Sequence, residues 1–175
     1  MKLCKAFGII LFVFMACSLS WANEIKSRYT TIVYPNEDLI RRLNKEIALG
    51  SLSYLLKSRT SFTLEDEVKN KIDIIVERVE NILEMFPRDV KFTLMLFSSD
   101  DEVQALYKTK YGKSVDFIAF YSPRDRTIYL SAKDIDIGVL AHEIAHVIID
   151  LYYGISTPTK IHEVLAQYVE THLKD

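Results

Sequence analysis

His142-Glu143-Ile144-Ala145-His146 follows the pattern H-E-x-x-H, a spacing with a direct chemical meaning if the segment is helical. Positions i and i+4 on a helix lie about 40° apart around the axis and about 6 Å along it, so the two imidazoles leave one face and can share a small tetrahedral cation. Glu143 stands about 60° from His146 on the other side. It cannot easily join that clamp, but it can reach a water held by the metal, where a general base belongs. Given the chain's own His and Glu frequencies, a random match has a probability of about one in a hundred or less. The neighbours Val139, Leu140, Ala141, Ile144, Ala145 and Val147 offer no polar partner. The segment therefore reads as a buried helix whose two imidazoles and carboxylate need satisfying, which a metal ion and its water would do. Cys4 and Cys17 are the two cysteines and both fall in the first 20 residues, so ligands for a downstream site come from His and carboxylates.

A working zinc site needs a third protein ligand and an open position. The turn from Gly154 to Thr157 is short, and Thr157-Pro158 reads as a cap followed by proline at the first helical position. The last helix should therefore fold back along the one bearing the histidines. His146 precedes Gly154 by eight residues and Glu163 follows Thr157 by six, rises of about 12 Å and about 9 Å, so the two stand roughly level. Glu170 lies nearer the level of His142, and His162 is a rival imidazole about 100° around the same helix; helical rise excludes neither.

The preceding segments form the frame. Tyr29–Tyr34 is a β-rich run closed by Pro35, and Asn36 can cap a helix running from Glu37 through Leu39, Leu43 and Ile47 to Gly50. Val68, Ile72, Ile75, Val79, Ile82 and Phe86 recur at steps of four and three until Pro87. That periodicity predicts a long helix laid on its own sheet rather than a coiled-coil seam for a partner. Val90–Phe97 reads as a strand. Ser99 caps a short helix opening on Asp100-Asp101-Glu102 and ending at Tyr111-Gly112. Asp116–Tyr121 and Thr127–Ser131 are two β-rich runs joined by a hairpin-like connection, and the histidine helix should run from about Asp134 or Asp136 to Tyr153, with Gly154 after it.

With 175 residues, 49% hydrophobic and 26% charged, the chain has an ordinary globular balance, and residues 23–175 read as one domain. Lys2 and Lys5 precede an uncharged run of 17 residues ending Ser20-Trp21-Ala22, the form of a secretory signal peptide over residues 1–22. The run is short against the roughly 20 residues a bilayer span needs, and polar Asn23-Glu24 follows at once. An exported chain, periplasmic or secreted and without a stable membrane span after cleavage, is expected. Lipid anchoring at Cys17, after Phe14-Met15-Ala16, is a minor alternative. Cleavage leaves 20 basic against 24 acidic residues, a net charge of −4. Nucleic acid is not an expected partner, since Lys108, Lys110 and Lys113, the densest basic group, read as a solvated helix end.

Val139–Ile148 followed by Glu163-Val164-Leu165-Ala166-Gln167-Tyr168 resembles the gluzincin zinc peptidases, and the small size and short tail are most similar to the minigluzincins and other peptidase MA-like domains. The resemblance implies an α+β, zincin-like fold: a small mixed β-sheet packed on a long helix and an HExxH helix, then a C-terminal glutamate helix. It implies Zn2+ bound by His142, His146 and Glu163, with Glu143 as catalytic base. It also implies that Thr127–Ser131 is the edge strand along which a peptide or protein substrate would pair. The metzincin pattern fails, because Ile149 and Tyr152 occupy the places of its Gly and third His. Larger gluzincins often carry an Asp four residues after the Glu ligand, where this chain has Gln167. They also have a C-terminal subdomain supplying a Tyr or His to the transition state. Here 29 residues follow His146, with Tyr152, Tyr153, Tyr168 and His172 as candidates for that role. The expectation is an exported zinc metallopeptidase in which Glu143 acts as general base. The alternatives are a non-catalytic zinc-stabilised binding module of the cell envelope, and the same fold without metal acting as an interaction protein.

Overall fold

The structure, a computed structural model, describes residues 23–133, 135–154 and 158–175. The signal segment 1–22 with Cys17, the alternative helix start Asp134 and the cap residue Thr157 lie outside the described residues. Five strands, β1 (Asn23–Lys26), β2 (Thr30–Tyr34), β3 (Phe92–Phe97), β4 (Ala119–Ser122) and β5 (Thr127–Ser131), form one mixed sheet in the order β1-β2-β3-β5-β4. β2, β3 and β5 run parallel, and β1 and β4 are antiparallel edges. The helices are α1 (Glu37–Glu46), α2 (Ser53–Leu56), α3 (Leu64–Leu83), α4 (Asp100–Tyr111), α5 (Ile137–Tyr153) and α6 (Thr159–His172).

Side chains alternate across the sheet and divide the interior in two. Leu94, Leu96, Ile128 and Leu130 join α1, α3, α5 and α6 in the main core, whereas Phe120 and Tyr129 face the other way and pack with Val103 and Leu106 of α4. The chain is thus a mixed α/β domain with most helices on one face of the sheet and α4 on the other. Val68, Ile72, Ile75 and Val79 of α3 are fully buried, as their periodicity requires. The helix stops before Pro87, because Glu84 takes a left-handed conformation at φ 53°. Phe86, the last residue of the predicted stripe, lies beyond that turn and is 60% exposed. Likewise α1 ends at Glu46 rather than Gly50, with Ile47 at ψ 49° closing the last turn.

One expectation is corrected. Thr127–Ser131 is not an edge strand: β5 lies between β3 and β4, hydrogen-bonded on both sides, and all five of its residues are buried. The hairpin folds the earlier strand outward, and the apolar, β-branched run Thr-Ile-Tyr-Leu suits an interior position covered on both faces. The edge beside α5 is β4. Ser131 N–H donates to the Ile118 carbonyl, so by alternation the backbone polar groups of Ala119 and Tyr121 point away from β5; the Tyr121 N–H meets Glu143, and the others form an outward edge.

The histidine helix is fixed at both ends by chemistry visible in its sequence. Asp136 accepts from Gly138 N–H at 2.6 Å and Val139 N–H at 3.0 Å, and Gly154 ends the helix at φ 62°. Asp136→Ala should therefore cost about 1 kcal/mol of unfolding free energy. Denaturant titration reads this directly, and an unchanged midpoint would remove the cap from the account.

Candidate metal centre and its cleft

α5 runs beside β4 with Leu140, Ala141, Ile144, Ala145, Val147 and Ile148 wholly buried. The remaining narrow face carries His142 and His146, whose rings lie 5.0 Å apart and nearly perpendicular. α6 packs antiparallel along it through Ala166 and Val169. Glu163 is thereby brought opposite the pair: His142 Nε2 is 3.6 Å from Glu163 Oε2, and His146 Nε2 is 3.7 Å from Glu163 Oε1. One donor atom from each of the three residues falls within 4.8 Å of the others.

These distances can be tested against zinc chemistry. Metal–nitrogen and metal–oxygen bonds of about 2.0–2.1 Å at a tetrahedral centre separate adjacent donors by about 3.3–3.4 Å. The two imidazole-to-carboxylate gaps, each to a different oxygen of Glu163, lie within a few tenths of an ångström of that value. The donor set of two imidazoles and one carboxylate, with Glu163 57% exposed, could hold a divalent cation such as zinc.

The two rivals for third ligand stand behind the pair. Glu170 Oε2 is 3.2 Å from His142 Nδ1, the nitrogen turned away from Glu163. His162 Nδ1 is 3.4 Å from His146 Nδ1, and its Nε2 is 3.6 Å from Asp150. Both imidazoles facing Glu163 thus have polar partners on their far nitrogens, the kind of arrangement that fixes tautomer and ring orientation.

Burial lowers the pKa of His146 to about 3, helped by His142 and His162. It is therefore a neutral imidazole throughout the neutral range, the form that ligates metal. Glu143 is only 8% exposed. Burial raises its pKa to about 8 and the charge of Glu163 adds to this, while the Tyr121 backbone N–H acts in the opposite sense. In the metal-free chain the ordinary value of 4.5 applies only after unfolding. The neutral carboxyl's contribution to stability is therefore complete below about pH 4.5 and lost as pH rises through about 8. Glu143→Gln keeps the shape and cannot ionise. With chelator present, the variant should gain on the wild type across that interval and be more stable by on the order of 4 kcal/mol above it. A stability difference that ignores pH would show that burial does not control this carboxyl.

Two clefts flank the centre along β4. One is lined by Tyr121, Pro123, Asp150, Thr159 and His162 beside His146 and Glu163; the other by Asp116, Phe117, Ile118, Val139 and Glu170 beside His142 and Glu143. Tyr121 and Asp150 did not emerge from the sequence. Asp150 had a signal, since it stands four residues after His146 on the same helix face. Tyr121 had none: its half-buried hydroxyl meets Asp150, and burial together with that carboxylate raises its pKa. Tyr152, Tyr153, Tyr168 and His172, the candidates for assisting a transition state, line neither cleft. Tyr152 and Tyr153 are exposed on the end of α5, and Tyr168 stacks with His172 on α6. Gln167 is exposed one turn after Glu163. Among the described residues, no helix is long and apolar enough to cross a membrane.

No protein-family model, curated protein or solved structure matches the chain.

Proposed function

We propose that the chain is an exported zinc metallopeptidase of the gluzincin kind, with a zincin-like fold, which hydrolyses peptide bonds with Glu143 as general base. The observation that carries this reading is the convergence of one donor atom each from His142, His146 and Glu163 within 4.8 Å, with both Nε2 atoms facing the Glu163 carboxylate, one residue from a buried carboxyl that joins none of those contacts. His142, His146 and Glu163 would hold the ion. When bound, zinc supplies Lewis acidity, polarising a carbonyl and bringing the pKa of a water toward about 7.

The protein's own groups do the rest. Glu143 takes a proton from the attacking water and returns it to the leaving amine, the double use expected of a general base beside the metal position. β4, rather than the strand first expected, offers the Ala119 backbone groups and the Tyr121 carbonyl to an extended peptide laid across the centre, the Tyr121 N–H being turned to Glu143. The flanking clefts accept side chains on either side of the scissile bond. His162 and Asp150 hold the His146 ring from behind, so that Nε2 faces Glu163.

The experiment is digestion of a peptide library by the zinc-loaded chain, with and without chelator. Cleavage abolished by chelator and restored by zinc is expected. Stoichiometric zinc with no cleavage would replace this reading with the non-catalytic binding module.

A further inference from the structure

The His142 imidazole has two nitrogens on opposite sides of its ring, and each meets a different carboxylate of α6. Nε2 faces Glu163 at 3.6 Å, and Nδ1 meets Glu170 at 3.2 Å. We propose that Glu170 is the positioning residue of His142: it accepts the Nδ1–H bond, fixes that tautomer and holds the Nε2 lone pair toward the metal position. This deepens the proposed function and rests on it for its zinc arm alone.

Three features of the packing support the assignment. Glu170 follows Glu163 by seven residues, two helical turns, so both carboxylates rise from one face of α6 toward α5. At Gly138, one turn before His142, an added Cβ would stand 2.9 Å from the capping Asp136 Oδ1 and 3.3 Å from Glu170 Cγ, so the glycine leaves room for both side chains. The Glu170 side chain passes Gly138 and ends on the imidazole. Glu170 is also 36% exposed at the side chain, so no burial requirement accounts for its placement; Gln167, one turn nearer Glu163, is exposed. His146 is served differently, reaching Asp150 only through His162. His142 is thus the ligand imidazole with a direct carboxylate behind it.

A carboxylate on the distal nitrogen makes the ligating nitrogen more basic and removes the ring's choice of tautomer, and losing such a partner costs roughly 10–100-fold in metal affinity. The test uses the full chain with Glu170→Ala and Glu170→Gln. In the metal-free protein, at a pH above the ordinary imidazole range, nitrogen-edited NMR of the histidine rings should find His142 of the wild type in the Nδ1–H form. Glu170→Ala should move it to the Nε2–H form. Chelator competition should then show zinc bound about 10–100-fold more weakly by Glu170→Ala. Glu170→Gln should fall between, since its amide oxygen accepts the bond without the charge. Persistence of the Nδ1–H form in Glu170→Ala, or unchanged zinc affinity, overturns the assignment. A wild-type chain that binds no zinc defeats the metal reading instead, and the ring tautomers then decide the role of Glu170 by themselves.

Discussion

The Glu143→Gln chain is expected to keep its zinc and lose its turnover. The substitution preserves volume and one acceptor oxygen at a site that is almost wholly enclosed, so α5 and its packing against β4 should survive. It removes the group that can accept a proton, a change that typically costs about 10²–10⁴-fold in rate. Zinc content should not change, because Glu143 takes no part in the trio formed by His142, His146 and Glu163. Glu143 lines the cleft beside His142, with the Tyr121 backbone N–H of β4 facing its carboxylate. In the metal-free chain burial, aided by the charge of Glu163, raises the pKa of Glu143 to about 8. A dication beside it acts in the opposite sense and favours the ionised base. A stopped assay on the wild type and the variant at equal zinc loading decides the point, and full activity in the variant would remove Glu143 from the chemistry.

Glu163→Ala carries the second large effect. Both Nε2 atoms face this one carboxylate at 3.6 and 3.7 Å. Its loss removes the third member of the one such trio found among the described residues. The rivals cannot take over: Glu170 is committed to Nδ1 of His142, and His162 lies behind Nδ1 of His146. Zinc affinity should therefore fall by more than the roughly 10–100-fold that loss of an outer partner costs. Isothermal titration of the stripped chain measures this. Zinc bound as tightly by Glu163→Ala as by the wild type would return the third-ligand question to His162 and Glu170.

What the sequence made legible was mainly local. Asn36, Ser99 and Asp136 each accept a backbone N–H at the head of their helices, and Gly112 and Gly154 close theirs in the left-handed conformation. Each of those devices acts over three or four residues, so spacing alone identifies it. The pairing of His142 with His146 is of the same kind, being a property of one helix. Placing Glu163 needed two helices. Rise gives its level along α5 but not the angle at which it faces α5, and it is that angle that sets Glu163 on the Nε2 side while Glu170 and His162 fall behind.

The sheet order was out of reach for a related reason. Thr127–Ser131 adjoins the histidine helix in sequence, but sequence adjacency does not rank strands in a sheet, and the hairpin carries Ala119–Ser122 to the outside instead. The burial of all five β5 residues was foreshadowed by the absence of polar alternation in that run. Tyr121 became visible only when β4 was set against α5 and its hydroxyl met Asp150.

Metal analysis of the purified chain and its variants tests the central claim most directly. The expected result is one zinc per chain in the wild type, retained by Glu143→Gln and lost from Glu163→Ala. A wild-type chain without zinc after exposure to it, or a His142→Ala, His146→Ala double variant that binds it undiminished, would contradict the site.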